Sequence, residues 1–278
     1  MKDEETVAGL NVHDYVPELM TAVDAITKAN RANHYKSWQD IATDVRDRFT
    51  EEHMAAIEAK VPGWQTMAGY DNGQTLIHVN CVFLSFYNSH FMSIMSNTDR
   101  RLLEWVILFH DLAKIARPGV RDLTHAFRST VMAAQHLPLA GFPTLPDYDL
   151  IFADWGQLTI TAVVTRDQKQ IQNNRKLPQI LAGIEAMFGP DSEATFILKA
   201  ILLHHSFSPV ADWPNPANLT NEEIDATIDL PLWHILGPML YVDSDAWQLY
   251  DEPMIRQQYA GEVLELLTAV ENRLSSKT

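Results

Sequence analysis

Cysteine is almost absent from the chain. Cys81 stands alone among 278 residues, so no internal disulfide framework can form and the composition suits a reducing compartment. Glycine is sparse at 11 positions, which excludes low-complexity and collagen-like chains and favours regular helical structure. Positive charge is also short. Twenty-one Lys and Arg face 36 Asp and Glu, for a formal net charge of −15. An extended nucleic acid or an anionic membrane surface is a poor partner for such a chain, because nothing neutralises phosphates over a broad face. A small anionic substrate held by metal ions and a few local cations remains compatible. No apolar run approaches the roughly 18 residues that a membrane span needs. The start Met1-Lys2-Asp3-Glu4-Glu5 is too acidic, and lacks the apolar stretch, for a secretory signal. The expected location is the cytoplasm.

What is present is a long chain with the hydrophobic content of a substantial core. Apolar residues recur at three- and four-residue spacing over Val16 to Ile26 and Trp38 to Lys60, the pattern of amphipathic helices. Pro62-Gly63 and Asp71-Asn72-Gly73 separate this part from the rest. Residues 1–72 are therefore expected to form a helical extension packed on a core of residues 73–278. Within the core, Asp99 can cap a helix running to His110 and stopped by Pro118-Gly119. Thr124 can cap the next, ending before Pro138, and Asp191 or Ser192 one that reaches His204-His205 and ends at Ser208-Pro209. Residues 137–190 form a less periodic stretch that opens with a loop at Pro138, Pro143 and Pro146. In it, Asp154 to Thr165 is rich in β-branched residues, yet its helical surroundings favour helix. Gln168 to Lys176 is expected to be a loop, as is Asp212 to Asn218. Pro231 to Tyr250 carries Asp243, with Gly237-Pro238 expected to break or kink it. Pro253 to Leu274 reads as a terminal helix.

The chemistry concentrates on histidine and aspartate. His110-Asp111 closes an apolar helix, and both side chains are costly to bury unless something charged pairs them. A divalent metal is the natural partner of imidazole and carboxylate. His78 sits in another apolar run, His125 follows a cap, His204-His205 ends Ala200-Ile201-Leu202-Leu203, and Asp243 follows Met239-Leu240-Tyr241-Val242. Each taken singly reads as readily as a core or capping residue, and Asp245 rivals Asp243 until helical spacing sets it well round the helix. His13, His34, His53, His90, His136 and His234 read as surface or packing residues.

Taken in order, His78, His110-Asp111-Leu112-Ala113-Lys114, His125-Ala126-Phe127-Arg128-Ser129, the run to His204-His205 and Asp243 resemble the HD-domain superfamily of metal-dependent phosphohydrolases. The resemblance covers about His78 to Trp247. It implies an all-α helical bundle and two divalent transition metals: iron, manganese or nickel, with zinc and magnesium left open. One metal would take His78, His110, Asp111 and Asp243. The other would take His125, His204 or His205, with Asp111 as the bridge. The two intermediate histidines occur in members with a second metal, such as the HD-GYP phosphodiesterases and the bacterial diadenosine tetraphosphate hydrolases. The interval from His125 to His204 is longer than in compact members, which implies an insertion near residues 137–190 that shapes the substrate pocket.

The resemblance implies hydrolysis of a phosphoester, in a nucleotide or another small phosphorylated compound, by a hydroxide shared between the metals. Asp111, Lys114 and Arg128 are the candidate catalytic residues. Lys114 offers a point charge and Arg128 a bidentate fork for phosphate, while a helix C-terminus and a structural ion pair are their ordinary roles. Trp155, Phe207 and Trp213 are candidates to stack on a base, though packing is their ordinary role. Two alternatives stand beside this reading. His205-Ser206-Phe207 and the His110 to Lys114 run are similar to the pattern of myo-inositol oxygenases, which with the phosphonate-cleaving oxygenases use a mixed-valent diiron pair on the same scaffold. The other is an inactive metal-binding regulatory module. Homo-oligomerisation is left open.

Overall fold

The computed structural model describes residues 10–115, 122, 124–166, 169–207 and 218–277. The expected helix stops at Pro118-Gly119 and Ser208-Pro209, Trp213 and most of the Asp212 to Asn218 loop lie outside the described residues. So do the first nine residues.

The architecture is all-α. Five short helices and segments open it: α1 (Val12–Tyr15), α2 (Pro17–Arg31), α3 (Trp38–Arg48), α4 (Glu51–Lys60) and α5 (Trp64–Gly69). The central helices follow: α6 (Gln74–Asn88), α7 (Phe91–Ile94), α8 (Asn97–Phe109) and α9 (His125–His136). Next come α10 (Tyr148–Ile160), a hairpin of β1 (Val163–Arg166) and β2 (Lys169–Gln172), and α11 (Leu177–Phe188). The chain closes with α12 (Glu193–Leu203), α13 (Asn221–Thr227), α14 (Leu230–Ala246) and α15 (Pro253–Ser275).

Five helices, α6, α8, α9, α12 and α14, make the heart of the bundle, with α15 against it. α12 packs on α8, α9 and α14; α14 packs on α6, α8 and α15. Their facing sides bury Phe83, Trp105, Phe109 and Phe127 completely. Burying one such phenylalanine contributes about 1.5–3 kcal/mol, which helps to offset the polar cluster carried by the same helices. The N-terminal helices dock on this bundle through α2 and α3 against α6, and α1 against α8.

Local chemistry explains where the elements differ from the sequence reading. The stretch from Trp38 to Lys60 is two helices, because the Thr50 side chain accepts from the His53 amide and starts a new one. The cap of α8 is Ser96, whose hydroxyl accepts from the Asp99 amide, so Asp99 sits inside the first turn. Thr124 holds the N-cap position of α9 with no side-chain cap bond. Ser192 caps α12. Of the segment Asp154 to Thr165, residues up to Ile160 are helical, but the β-branched end forms β1. It pairs antiparallel with β2 in the register Val163 to Gln172 through Arg166 to Lys169, so Gln168 to Lys176 is not simply a loop. Gly237-Pro238 does not break α14. The helix runs through Pro238, and at Gly237 the Trp233 ring lies 3.4 Å from where a Cβ would stand.

Candidate metal centre

The ends of helices bring the candidate ligands together. His78 lies in the first turns of α6, and His110 caps the C-terminus of α8 with Asp111 in the turn beyond it. His125 is the first residue of α9, His204 caps the C-terminus of α12 with His205 next, and Asp243 lies in the last turns of α14. Five elements far apart in sequence thus contribute to one place inside the bundle. His78, His110, Asp111, His125 and His204 are almost completely buried.

Three of the imidazoles are held in the same way. Nδ1 of His110 contacts the carbonyl of Ile107 at 2.8 Å, and that of His204 the carbonyl of Ile201 at 2.6 Å. Nδ1 of His125 contacts the carbonyl of Asp122. A carbonyl can only accept, so each Nδ1 carries the hydrogen, and in the neutral ring each Nε2 is left as a lone-pair donor. This is the outer-shell arrangement that fixes a metal-binding imidazole.

The ring nitrogens and carboxylate oxygens converge in two groups. His78, His110 and Asp243 form one, and His125, His204 and His205 the other; within each, ligand atoms lie within 4.8 Å of one another. Asp111 stands between them. Its Oδ2 is 3.7 Å from Nε2 of both His78 and His110, while its Oδ1 is 2.7 Å from Nε2 of His125. Both His204 and His205 belong to the second group, where the sequence reading left the choice open.

The donor set fits a cation. Nε2 of His110 is buried with no hydrogen-bond partner among the described residues, 3.8 Å from Asp243 Oδ1. Nε2 of His125 lies 3.2 Å from Nε2 of His204. Lone-pair atoms at that separation repel unless a positive centre lies among them, and burial removes the water that would otherwise serve.

Protonation follows the same logic. Burial, then the neighbouring imidazoles of His125 and His110, push His204 down to about 3. Burial also lowers His110 and drives His205 well below its ordinary value, so these rings are neutral donors near pH 7. Burial works to raise the Asp111 carboxyl, but the Lys114 ammonium, 2.7 Å from Oδ2, and the adjacent imidazoles override it and hold it well below the usual range. At Asp243 burial is likewise overridden, chiefly by the 2.8 Å bond to His78, and the carboxyl is strongly lowered.

The remaining candidates fall at different distances from this cluster. Lys114 reaches it through Asp111. The guanidinium of Arg128 is engaged by the Asp122 carboxylate and the Ala113 carbonyl. Asp122 also accepts from the Ile115 amide at 2.8 Å, so this ion pair braces the segment whose carbonyl holds His125. Asp245 bonds Ser85 at 2.7 Å and Arg256, away from the cluster. His136 contacts the Pro62 carbonyl at 3.0 Å and stacks on Phe109. Trp155 is core, with Nε1 donating to the Ile180 carbonyl, and Phe207 packs on Trp233. Sequence reasoning missed Trp247, which lies parallel to His78 at 4.2 Å. Its signal was its place four residues after Asp243, on the same helical face.

Comparison with protein-family models, with curated proteins and with solved structures finds no match to this chain. The helical bundle with its buried His and Asp groups is compatible with an HD-like fold, and no described helix is long and apolar enough to cross a membrane.

Proposed function

We propose that the chain is a metal-dependent phosphohydrolase of the HD type, holding two divalent transition metals and cleaving a phosphoester of a nucleotide or another small phosphorylated compound. The observation that carries the reading is the position of Asp111, with one carboxylate oxygen toward each histidine group. His78, His110 and Asp243 would hold one metal, and His125, His204 and His205 the other, with Asp111 common to both. Metals so placed lower the pKa of water and polarise a phosphoryl oxygen.

The protein residues do the rest. Neutral His110, His204 and His205 present lone pairs instead of protons, so no acid competes for the metals near pH 7. The buried Asp111 and half-buried Asp243 carboxylates keep the site anionic enough for divalent cations. Lys114, whose side chain is 17% exposed, stands between Asp111 and the solvent. Its ammonium is the cation placed to meet an incoming phosphate. The apolar helices around the cluster exclude bulk water and strengthen each charge interaction.

The test uses manganese-loaded protein without dioxygen, against nucleoside mono-, di- and triphosphates and cyclic and linear dinucleotides. Turnover that is independent of dioxygen is expected, with Lys114→Ala raising KM while both metals stay bound. Product that appears only once iron and air are supplied would overturn the hydrolase reading in favour of an oxygenase.

A further inference from the structure

Nδ1 of His110, His125 and His204 is in each case fixed by a carbonyl three residues back, but that of His78 is not. Its Nδ1 is buried and has no hydrogen-bond partner among the described residues. The ring nevertheless needs a fixed plane, because Nε2 faces both Asp243 at 2.8 Å and Asp111 at 3.7 Å. What lies against that plane is Trp247, at 4.2 Å between centroids and 15° between planes. Trp247 is 44% exposed, which is unusual for a large aromatic unless something holds it. Trp38, from α3 of the N-terminal helices, stacks on it at 6.1 Å and 18°. The Lys114 ammonium stands 5.6 Å from its ring centroid, within cation–π range.

We infer that Trp247 is the positioning residue for His78, replacing by ring stacking the hydrogen bond that fixes the other imidazoles, and that Trp38 braces it from the N-terminal helices. The consequence is specific to one half of the centre. Trp247 touches His78 and Lys114, and the His125, His204 and His205 group is oriented by other means. The N-terminal helices thereby act on the affinity of the His78 group for its metal. This inference rests on the metal reading above and extends it to residues outside the ligand set.

The test is a cobalt(II) titration, followed by absorbance and by competition with a chromophoric chelator, in two backgrounds. His204→Ala impairs the second group and leaves the His78 group; His78→Ala does the reverse. In the His204→Ala background, Trp247→Leu is expected to weaken cobalt binding about tenfold to a hundredfold, the range for loss of an orienting partner. Trp247→Phe is expected to keep most of the affinity, and Trp38→Leu to lose a smaller part. In the His78→Ala background none of these changes should matter. Circular dichroism and melting of the chelated variants check that each folds. Unchanged affinity in Trp247→Leu, equal losses in both backgrounds, or a Phe variant as weak as the Leu variant would overturn the role of Trp247. Failure of the unmodified protein and of both backgrounds to take up cobalt would instead overturn the metal reading itself.

Discussion

At the scale of the residue, the cluster separates ligand candidates from histidines that only pack. His110 and His136 are both buried, and each has one ring nitrogen on a carbonyl and one without a partner among the described residues, but the unpaired Nε2 of His110 lies 3.7 Å from Asp111 and 3.8 Å from Asp243, whereas the His136 ring stacks on Phe109. Accordingly, by elemental analysis after gel filtration, His110→Ala should cost the His78 group its metal and Asp111→Ala should cost both, while His136→Ala keeps both metals. Protonation gives a second expectation. His204 lies at about 3 in the folded chain against 6.5 as its ordinary value, and His110 and His205 are lowered in the same sense. Between those limits the unfolded chain binds protons that the folded chain refuses, so stability falls as pH falls. The melting temperature of the chelated protein should therefore decline steadily from about pH 6.5 toward pH 4. A melting temperature that is flat or rising over that window would contradict burial of neutral rings.

At the scale of the element, the ligands sit where helices begin and end, and packing decides which ends meet. α10 and α11 sit beside α9 and α12 and hold the outer side of two ligand-bearing helices. Their contact depends on Gly183, where an added Cβ would stand 2.2 Å from the Trp155 ring. The ring cannot easily retreat, because its Nε1 is bonded to the Ile180 carbonyl at 2.9 Å. Alanine in a helix interior is favoured over glycine by about 1 kcal/mol, but overpacking of this kind costs about 1–3 kcal/mol. The clash should win. Gly183→Ala is expected to lower the melting temperature, and to do so less when Trp155 is shortened to Phe in the same protein. The sequence alone would suggest the opposite sign, since it shows a glycine in an apolar helix and nothing of the ring across from it.

At the scale of the whole molecule, two metals buried among five helices should tie folding to metal supply. A ligand present at a hundredfold excess over its Kd adds about 2.7 kcal/mol to stability, worth about 5–10 °C in a chain of this size. Chelation should thus lower the melting temperature by at least that interval, and two equivalents of manganese should restore it, with a break in the titration at two metals per chain. A single break at one equivalent would leave Asp111 without its shared role. Far-ultraviolet circular dichroism should stay helical in both states, because the aliphatic and aromatic core does not depend on the metal.

The sequence by itself determined the class of the fold and singled out the His and Asp residues that the fold brings together. Apolar periodicity marks most of the helices, and the cost of burying His110, Asp111, His204 and Asp243 at the ends of apolar runs marks the cluster, since both signals are local. Tertiary structure decided what local signals do not carry. The division of Trp38 to Lys60 into two helices and the hairpin after Ile160 turned on a cap and on a strand partner. The inclusion of both His204 and His205 in one group required α9 to lie against α12. The placement of Arg128 on Asp122 and of Trp247 on His78 was settled in the same way. Those pairings are set by which helices pack side by side: periodicity puts Trp247 on the face of Asp243, but only the packing of α6 against α14 brings it onto His78.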